Sequence, residues 1–296
     1  MCFCLAFITL QAPGQDFVEV SYPAGHFSIP EARGVAVADF DNDGDQDFFI
    51  SGEDSKLYIN QGDFDFTDVT ELAGMSGTRA LTSVWVDIND DGWLDLVTSS
   101  WQDARIFMNN GDGTFRAGSE LPIRKRNLIM AGDLNGDGWV DLFSSNFKNP
   151  SELLLNNGLD DFVDVARESN VNINQNGMAG LLLDFEGDGD LDIYVTYDGD
   201  IPGQFFINNG EGVFADRSSD VGLNLISSAM GVDFGDFNTD GLIDFYVTNL
   251  FDNFLLIQQP DNTFLELAES AGVNDYGMGW GVRSADFTND GHTDIY

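Results

Sequence analysis

Short apolar runs recur along the chain, each ending in a tight polar cluster and followed at once by another run: GVAVADF before DFFIS, SVWVDI before DLVTS, LLLDF before DIYVT. Runs this short, rich in β-branched and aromatic residues and bounded by Asp and Gly, predict strands joined as hairpins. A second hairpin follows at a regular offset, in LYINQGDFDFTDV, RIFMNNGDGTFR, LLLNNGLDDFVDV, FFINNGEGVFADR and LLIQQPDNTFLEL. Asn and Gly between the apolar runs supply its turn. One repeat therefore holds four strands, the content of a propeller blade.

The polar cluster of the first hairpin is a nine-residue repeat: DFDNDGDQD from Asp39, DINDDGWLD from Asp87, DLNGDGWVD from Asp133, DFEGDGDLD from Asp184, DFNTDGLID from Asp236 and DFTNDGHTD from Asp286. The starts are 48, 46, 51, 52 and 50 residues apart. A period of this size means units that stack on their neighbours. The predicted fold is all-β, a β-propeller of four-stranded blades over residues 16–296, with about five and a half blades in this chain. Antiparallel order puts the Asp cluster and the Asn/Gly turn on one face. The loops after each second strand and the linkers between blades belong to the other.

The ends add two expectations. FVEVSYPAG at Phe17 aligns with FTDVTELAG at Phe66, so a lone fourth strand is expected ahead of blade 1, to be lent to the last blade. The sequence stops at Tyr296 within the sixth second strand, and a longer polypeptide that completes this blade and adds a seventh is expected. Residues 1–15 open with MCFCLAFITL, an apolar stretch resembling a secretory signal without a basic start; a disordered leader is the alternative. Cys2 and Cys4 both lie there, so the repeats carry neither disulfides nor thiolate sites. The stretch is too short for a bilayer span, which takes ~20 residues.

In each nine-residue cluster positions 1, 5 and 9 are Asp and position 6 is Gly. Oxygen-bearing side chains at alternate positions around a Gly-permitted turn are the donor set of a hard cation such as Ca²⁺, which takes about 6–8 oxygens. The candidate ligands are the side chains at positions 1, 3, 5 and 9 with the carbonyl of position 7. In the first three loops these are Asp39, Asp41, Asp43, Asp45 and Asp47, then Asp87, Asn89, Asp91, Trp93 and Asp95, then Asp133, Asn135, Asp137, Trp139 and Asp141. In the last three they are Asp184, Glu186, Asp188, Asp190 and Asp192, then Asp236, Asn238, Asp240, Leu242 and Asp244, then Asp286, Thr288, Asp290, His292 and Asp294. Glu186 adds a methylene and Thr288 removes a charge, which weakens loops four and six. The alternative for any one loop is a metal-free turn in which Asp caps backbone donors.

An EF-hand is excluded, because position 12 is Ile50, Thr98, Ser144, Val195 or Val247 where that motif needs Glu. Mg²⁺ is disfavoured by its demand for near-ideal octahedral geometry. Positions 2 and 10 are apolar throughout and should anchor each loop to the core. The charge of -39 would otherwise suggest a disordered acidic chain, but close to half of the 51 acidic residues lie in the six clusters, where cations would neutralise them. With 12 basic residues there is no footprint for nucleic acid.

The DxDxDGxxD hairpin and its period resemble the FG-GAP/VCBS repeats, whose integrin α-subunit members are seven-bladed propellers, over about Phe17 to Tyr296. The FTDVTELAG, FADRSSDVG and FLELAESAG segments and the NNGDGTF turn resemble the secreted, ASPIC/UnbV-associated group that includes cartilage acidic protein. The resemblance implies structural Ca²⁺ at the positions just named, up to six ions, and a ligand on the opposite face. It implies an extracellular, periplasmic or cell-surface location.

Three functions fit these features. A Ca²⁺-stabilised monomeric binding module for protein or glycan would use the aromatics that recur after the second strands, Trp101, Phe147, Tyr197 and Phe251, for stacking or anchoring. Burial beneath the loop is the alternative for each. A scaffold for a C-terminal ASPIC/UnbV domain is the second function. A polysaccharide lyase or hydrolase is the third and is disfavoured, since the regular carboxylates are assigned to metal, His26 and His292 are the only histidines, and no GxSxG, HExxH or phosphate loop occurs. Arg33, Lys148 and Arg283 are the residues from which a sparse channel site would be built. Six residues before each loop, Arg33, Leu81, Asn127, Met178, Met230 and Trp280 should lie near the propeller axis.

Overall fold

The four runs of each repeat fold as four antiparallel strands in sequence order in a computed structural model that describes residues 31–123, 126–146, 149–158 and 161–296. Blade 1 is β1 (Gly34–Ala38), β2 (Asp47–Ser51), β3 (Lys56–Asn60) and β4 (Phe66–Asp68). Blade 2 is β5 (Thr82–Val86), β6 (Asp95–Ser99), β7 (Ala104–Asn109) and β8 (Phe115–Glu120). Blade 3 is β9 (Arg126–Gly132), β10 (Asp141–Asn146), β11 (Glu152–Asn156) and β12 (Phe162–Asp164). Blade 4 begins with β13 (Gly177–Leu183) and β14 (Asp192–Tyr197); after an excursion through β15 (Ile201–Pro202) it ends with β16 (Gln204–Asn208) and β17 (Phe214–Asp216). One helical turn, α1 (Ser218–Val221), and β18 (Ile226–Ser227), which pairs with β15, lead into blade 5.

Blade 5 is β19 (Ala229–Gly235), β20 (Asp244–Asn249), β21 (Phe254–Gln258) and β22 (Phe264–Glu266). A second helical turn, α2 (Ala268–Ala271), precedes the two-stranded opening of a sixth unit, β23 (Ser284–Ala285) and β24 (Asp294–Ile295). The expected all-β propeller of four-stranded blades is thus the fold, with five blades of four strands among the described residues. The linkers after blades 4 and 5, read as loops from the sequence, each contain a helical turn closed by a left-handed glycine, Gly222 and Gly272. The leader and the strand expected at Phe17 lie outside the described residues.

First strands of consecutive blades pack on one another, which makes them innermost. Most of the hydrophobic clusters sit between blades. Leu134, Phe143 and Leu153 of blade 3 share one with Ile193, Val195 and Phe206 of blade 4. Leu183, Tyr194 and Phe205 of blade 4 share the next with Val232, Phe245 and Leu256 of blade 5. Phe48, Ile50 and Phe66 form a cluster within blade 1, but the shared clusters make adjoining blades depend on each other for burial. Sandwiching also removes the inside–outside alternation: β2, β6, β14 and β20 are buried at every residue, polar ones included.

Polar side chains tie the blades together as well. In blades 2, 3 and 4 the Asn that closes the third strand has its Nδ2 on two carbonyls, one in its own loop and one in the loop of the preceding blade. Asn109 donates to Leu94 O and Phe40 O at 3.1 and 2.8 Å, Asn156 to Val140 O and Ile88 O at 3.2 and 2.9 Å, and Asn208 to Leu191 O and Leu134 O at 3.0 and 2.9 Å. Each Oδ1 accepts the amide of the turn glycine two residues on. Blade 5 has Gln258 here, which accepts the Ile243 amide at 2.8 Å and turns its Nε2 to Asn262.

Asn156 is 2% exposed, and its truncation strands two carbonyls and an amide. Asn156→Ala is expected to lower stability by ~1–3 kcal/mol, read from the urea midpoint at constant m. Gln258→Ala, which breaks no described tie to blade 4, is expected to cost less. Equal losses would show that the inter-blade bond adds nothing.

Candidate metal centres and the opposite face

The six clusters fold as the same turn. The position 1 Asp accepts two backbone amides, that of position 5 on Oδ1 at 3.0–3.2 Å and that of the position 6 Gly on Oδ2 at 2.8–2.9 Å, in every loop. The position 7 amide donates to the position 5 carboxylate at 2.9–3.1 Å. These bonds require left-handed backbone at position 6, where φ is 85–97°, which only Gly adopts freely. Position 4 is left-handed too, with φ of 54–75°, and its occupants Asn42, Asp90, Gly136, Gly187 and Asn289 suit that region. Thr239 is the exception, a β-branched residue at φ 59°, with its hydroxyl on Asn238 O at 2.7 Å.

Position 9 is different in kind. Asp47, Asp95, Asp141, Asp192 and Asp244 are 0–2% exposed. Each takes the position 2 amide on Oδ2 at 2.9–3.2 Å and the amide ending the third strand on Oδ1 at 2.7–2.9 Å. The ninth carboxylate therefore welds the Asp loop to the second hairpin. Burial outweighs those two bonds, so in the metal-free protein its pKa rises, to about 7 at Asp47 and about 6 at Asp95, Asp141 and Asp192, and upward at Asp244. In the sixth loop Asp294 is only half-buried and accepts from Thr288, one residue later than the pattern.

The oxygens at positions 1, 3 and 5 are the more accessible to an ion, with the lone pairs that position 9 keeps beyond its two amides behind them. Asp39, Asp41 and Asp43 hold ligand oxygens within 4.8 Å of one another. Asp41 is pushed above its usual range by burial and by repulsion from Asp43 and Asp39, a cost that a cation would remove. In loops two, three and five the position 3 side chains Asn89, Asn135 and Asn238 accept the position 5 amide and donate to its carboxylate at 2.9 Å. Glu186 is not an acceptor in the described hydrogen bonds of loop four, where Gly187 and Asp188 both donate to Asp184. The donor set thus fits a hard divalent cation best in loop one.

Position 7 contributes more than a carbonyl. The Trp93 and Trp139 rings lie on the turn glycines Gly111 and Gly158, where a Cβ would come within 2.8 and 2.4 Å of them. The tryptophans in two of the six clusters were the available sign of this, since an apolar ring inside an acidic loop needs a surface to cover.

The four aromatics expected on the opposite face separate. Trp101 and Phe251 are 45% and 49% exposed, Phe251 lying 6.1 Å from the Tyr276 ring. Tyr197 is a correction: it is 1% exposed, belongs to β14 and donates its hydroxyl to Gln204 Oε1 at 2.8 Å, in the core between blades 3 and 4. Phe147 and Lys148 lie outside the described residues, as does His26. Of the residues expected near the axis, Leu81, Met178 and Met230 are half-buried, the two methionines at β-bulges, while Arg33 and Trp280 are exposed. The Asn127 side chain lies outside the description. The interblade pair Arg283–Asp233, at 3.8 Å, does not join Arg33 in a site.

Three segments, residues 39–98, 133–195 and 184–247, match the FG-GAP-like repeat family, each starting at position 1 of an Asp loop. The chain belongs to the FG-GAP-like repeat family. No curated protein matches the sequence of this FG-GAP-like repeat chain. Among solved structures it is similar to a lectin of Agrocybe aegerita, described with specific recognition of non-reducing terminal N-acetylglucosamine, at 21% identity and TM-score 0.58 over 90% of this chain and 74% of that one. It is similar to Sqt1 of Saccharomyces cerevisiae at 11% identity and TM-score 0.54, over 80% and 60% of the two chains. It is also similar to BBS1N, solved in complex with ARL6DN, at 13% identity and TM-score 0.52 over 80% and 68%. At such identities the likeness is one of fold. Among the described residues no helix is long and apolar enough to cross a membrane.

The raised ninth carboxylates set a pH dependence for the metal-free repeats. A folded-state pKa above the unfolded value of about 3.9 means stability that is full below that value and lost as pH rises through about 6 to 7. In chelator the melting temperature is therefore expected to be higher at pH 5 than at pH 8. A flat profile over that window would show that these carboxylates are not desolvated.

Proposed function

We propose that this FG-GAP-like repeat protein is an extracellular, Ca²⁺-stabilised binding module without catalytic activity, whose ligand, a protein or a glycan, docks on the face opposite the Asp loops. The observation that carries this reading is the asymmetry between the two faces. On one, the same turn with the same hydrogen bonds recurs six times, the mark of a structural device. On the other, the loops differ in every blade and leave Trp101 and Phe251 exposed. Repeated geometry suits a repeated ion, and divergent loops suit a particular ligand.

Ca²⁺ would be held by positions 1, 3 and 5 with the carbonyl of position 7, and by position 9 through lone pairs left over from its two amides. The ion supplies positive charge to crowded carboxylates and no chemistry. Open, loop-borne sites of this kind belong with the ~10⁻⁴–10⁻³ M affinities of extracellular modules, which favours a compartment rich in Ca²⁺. The fourth-strand endings at Phe66, Phe214 and Phe264 and the Asn/Gly turns favour the ASPIC/UnbV-associated group. The lectin and the BBS1N complex are fold relatives that bind a sugar and a protein, respectively.

Chelation of the full chain is expected to lower its melting temperature by many degrees, and Ca²⁺ at 100 times its Kd to restore ~2.7 kcal/mol per occupied loop. An unchanged value would refute the metal reading. For the ligand face, alanine at Trp101 and Phe251 together should abolish capture from glycan and protein libraries. Alanine at Val163, exposed on the outer β12, should not. Capture indifferent to the first pair would move the ligand elsewhere.

A further inference from the structure

On the face opposite the Asp loops, blades 1 and 2 enclose a concavity of about 480 Å³. That lies in the ~300–1,000 Å³ range of small-molecule sites. Its walls come from the loop after β2, the linker into blade 2 and the loop after β6, with Glu53, Arg79, Trp101, Gln102, Asp103 and Arg105 as the side chains that bear on its chemistry. The Trp101 indole is 45% exposed and carries the Arg33 guanidinium over its ring, 6.0 Å from the centroid. A cation on one face fixes the ring and leaves the other for a ligand. Opposite charges in the walls are paired. Arg105 grips Asp103 through Nε at 2.8 Å and an NH2 contact at 2.6 Å, Ser100 donates to the same carboxylate at 2.7 Å, and Arg79 stands 4.0 Å from Glu53.

We propose that this concavity binds an uncharged pyranose sugar, with Trp101 stacking on the C–H face of the ring and the Asp103–Arg105 and Glu53–Arg79 pairs taking its hydroxyls. The inference rests on the binding-module reading and narrows it to one ligand class at one place. A pyranose presents an apolar face and a rim of hydroxyls that each donate and accept. A flat indole beside fixed carboxylate and guanidinium groups is complementary to both. Charge decides against the alternatives. An anionic ligand must approach through the field of a chain with net charge -39. A cationic one meets Arg33, Arg79 and Arg105, a quarter of all basic residues in the sequence, around this single opening.

The test uses the full chain in millimolar Ca²⁺, titrated with methyl glycosides of glucose, galactose, mannose and N-acetylglucosamine, with the corresponding uronic acids, and with a lysine-rich peptide. Binding is followed by tryptophan fluorescence and saturation-transfer NMR. At least one neutral glycoside is expected to bind. Trp101→Ala should weaken it more than tenfold, Trp101→Phe should retain most of the affinity and Arg79→Ala should lose several-fold, with melting temperatures unchanged. Val163→Ala, on the outer β12, should have no effect. Neutral-sugar binding that survives Trp101→Ala, or a preference for uronates or for the peptide, overturns this proposal while leaving a binding module on this face. Absence of sugar binding with a protein captured on the same face also overturns it alone. Absence of any ligand on this face refutes both readings.

Discussion

The buried aspartate at position 9 is the contact on which the rest of the architecture depends. Its two oxygens take two amides that would otherwise be stranded, one at the start of the Asp loop and one at the end of the third strand. Because that second amide belongs to the Asn whose side chain reaches the preceding blade, one carboxylate couples the two hairpins of a blade and, through the Asn, adjoining blades. An unpaired carboxylate at this depth would be prohibitively costly. Here the fold surrounds it with backbone donors and still leaves it short of full solvation, which is why its proton affinity rises.

This arrangement separates two roles that the Asp repeat seems to combine. Positions 1 and 9 are committed to backbone donors whether or not an ion is present, and they shape the turn. The remaining oxygen capacity at positions 1, 3 and 5 carries the freedom to engage a cation. Charge crowding at Asp39, Asp41 and Asp43 is then the residual that a metal would relieve, with the turn already formed around it.

Much of this was legible in the sequence because the period of the repeat and the two-residue period of strands act on different length scales and do not interfere. Strand order, the four-stranded blade and the shared face of the two turns followed from turn chemistry alone. Position 9 looks like any other ligand Asp in the motif, so its bonds to backbone amides are hidden in the sequence. Only the third-strand amide, 13 to 16 residues away in sequence, reveals that it points inward. Tyr197 lies in the core because β14 runs to residue 197, whereas β6 stops at Ser99, two residues before Trp101. A shift of strand end of that size decides whether an aromatic is core or surface, and no local propensity encodes it. The inter-blade role of Asn109, Asn156 and Asn208 was hidden because these residues also fit an ordinary turn.

Cores that lie between blades, sealed by an Asn reaching back to the previous loop, have a consequence for how such a chain changes over generations. A duplication or deletion of one whole Asn-bearing repeat recreates its junction with the same partners. A recombination point inside a repeat leaves one Asn without its carbonyl and one aspartate without its amide. Selection would therefore tolerate gain and loss of complete units far more readily than exchange of fragments within them.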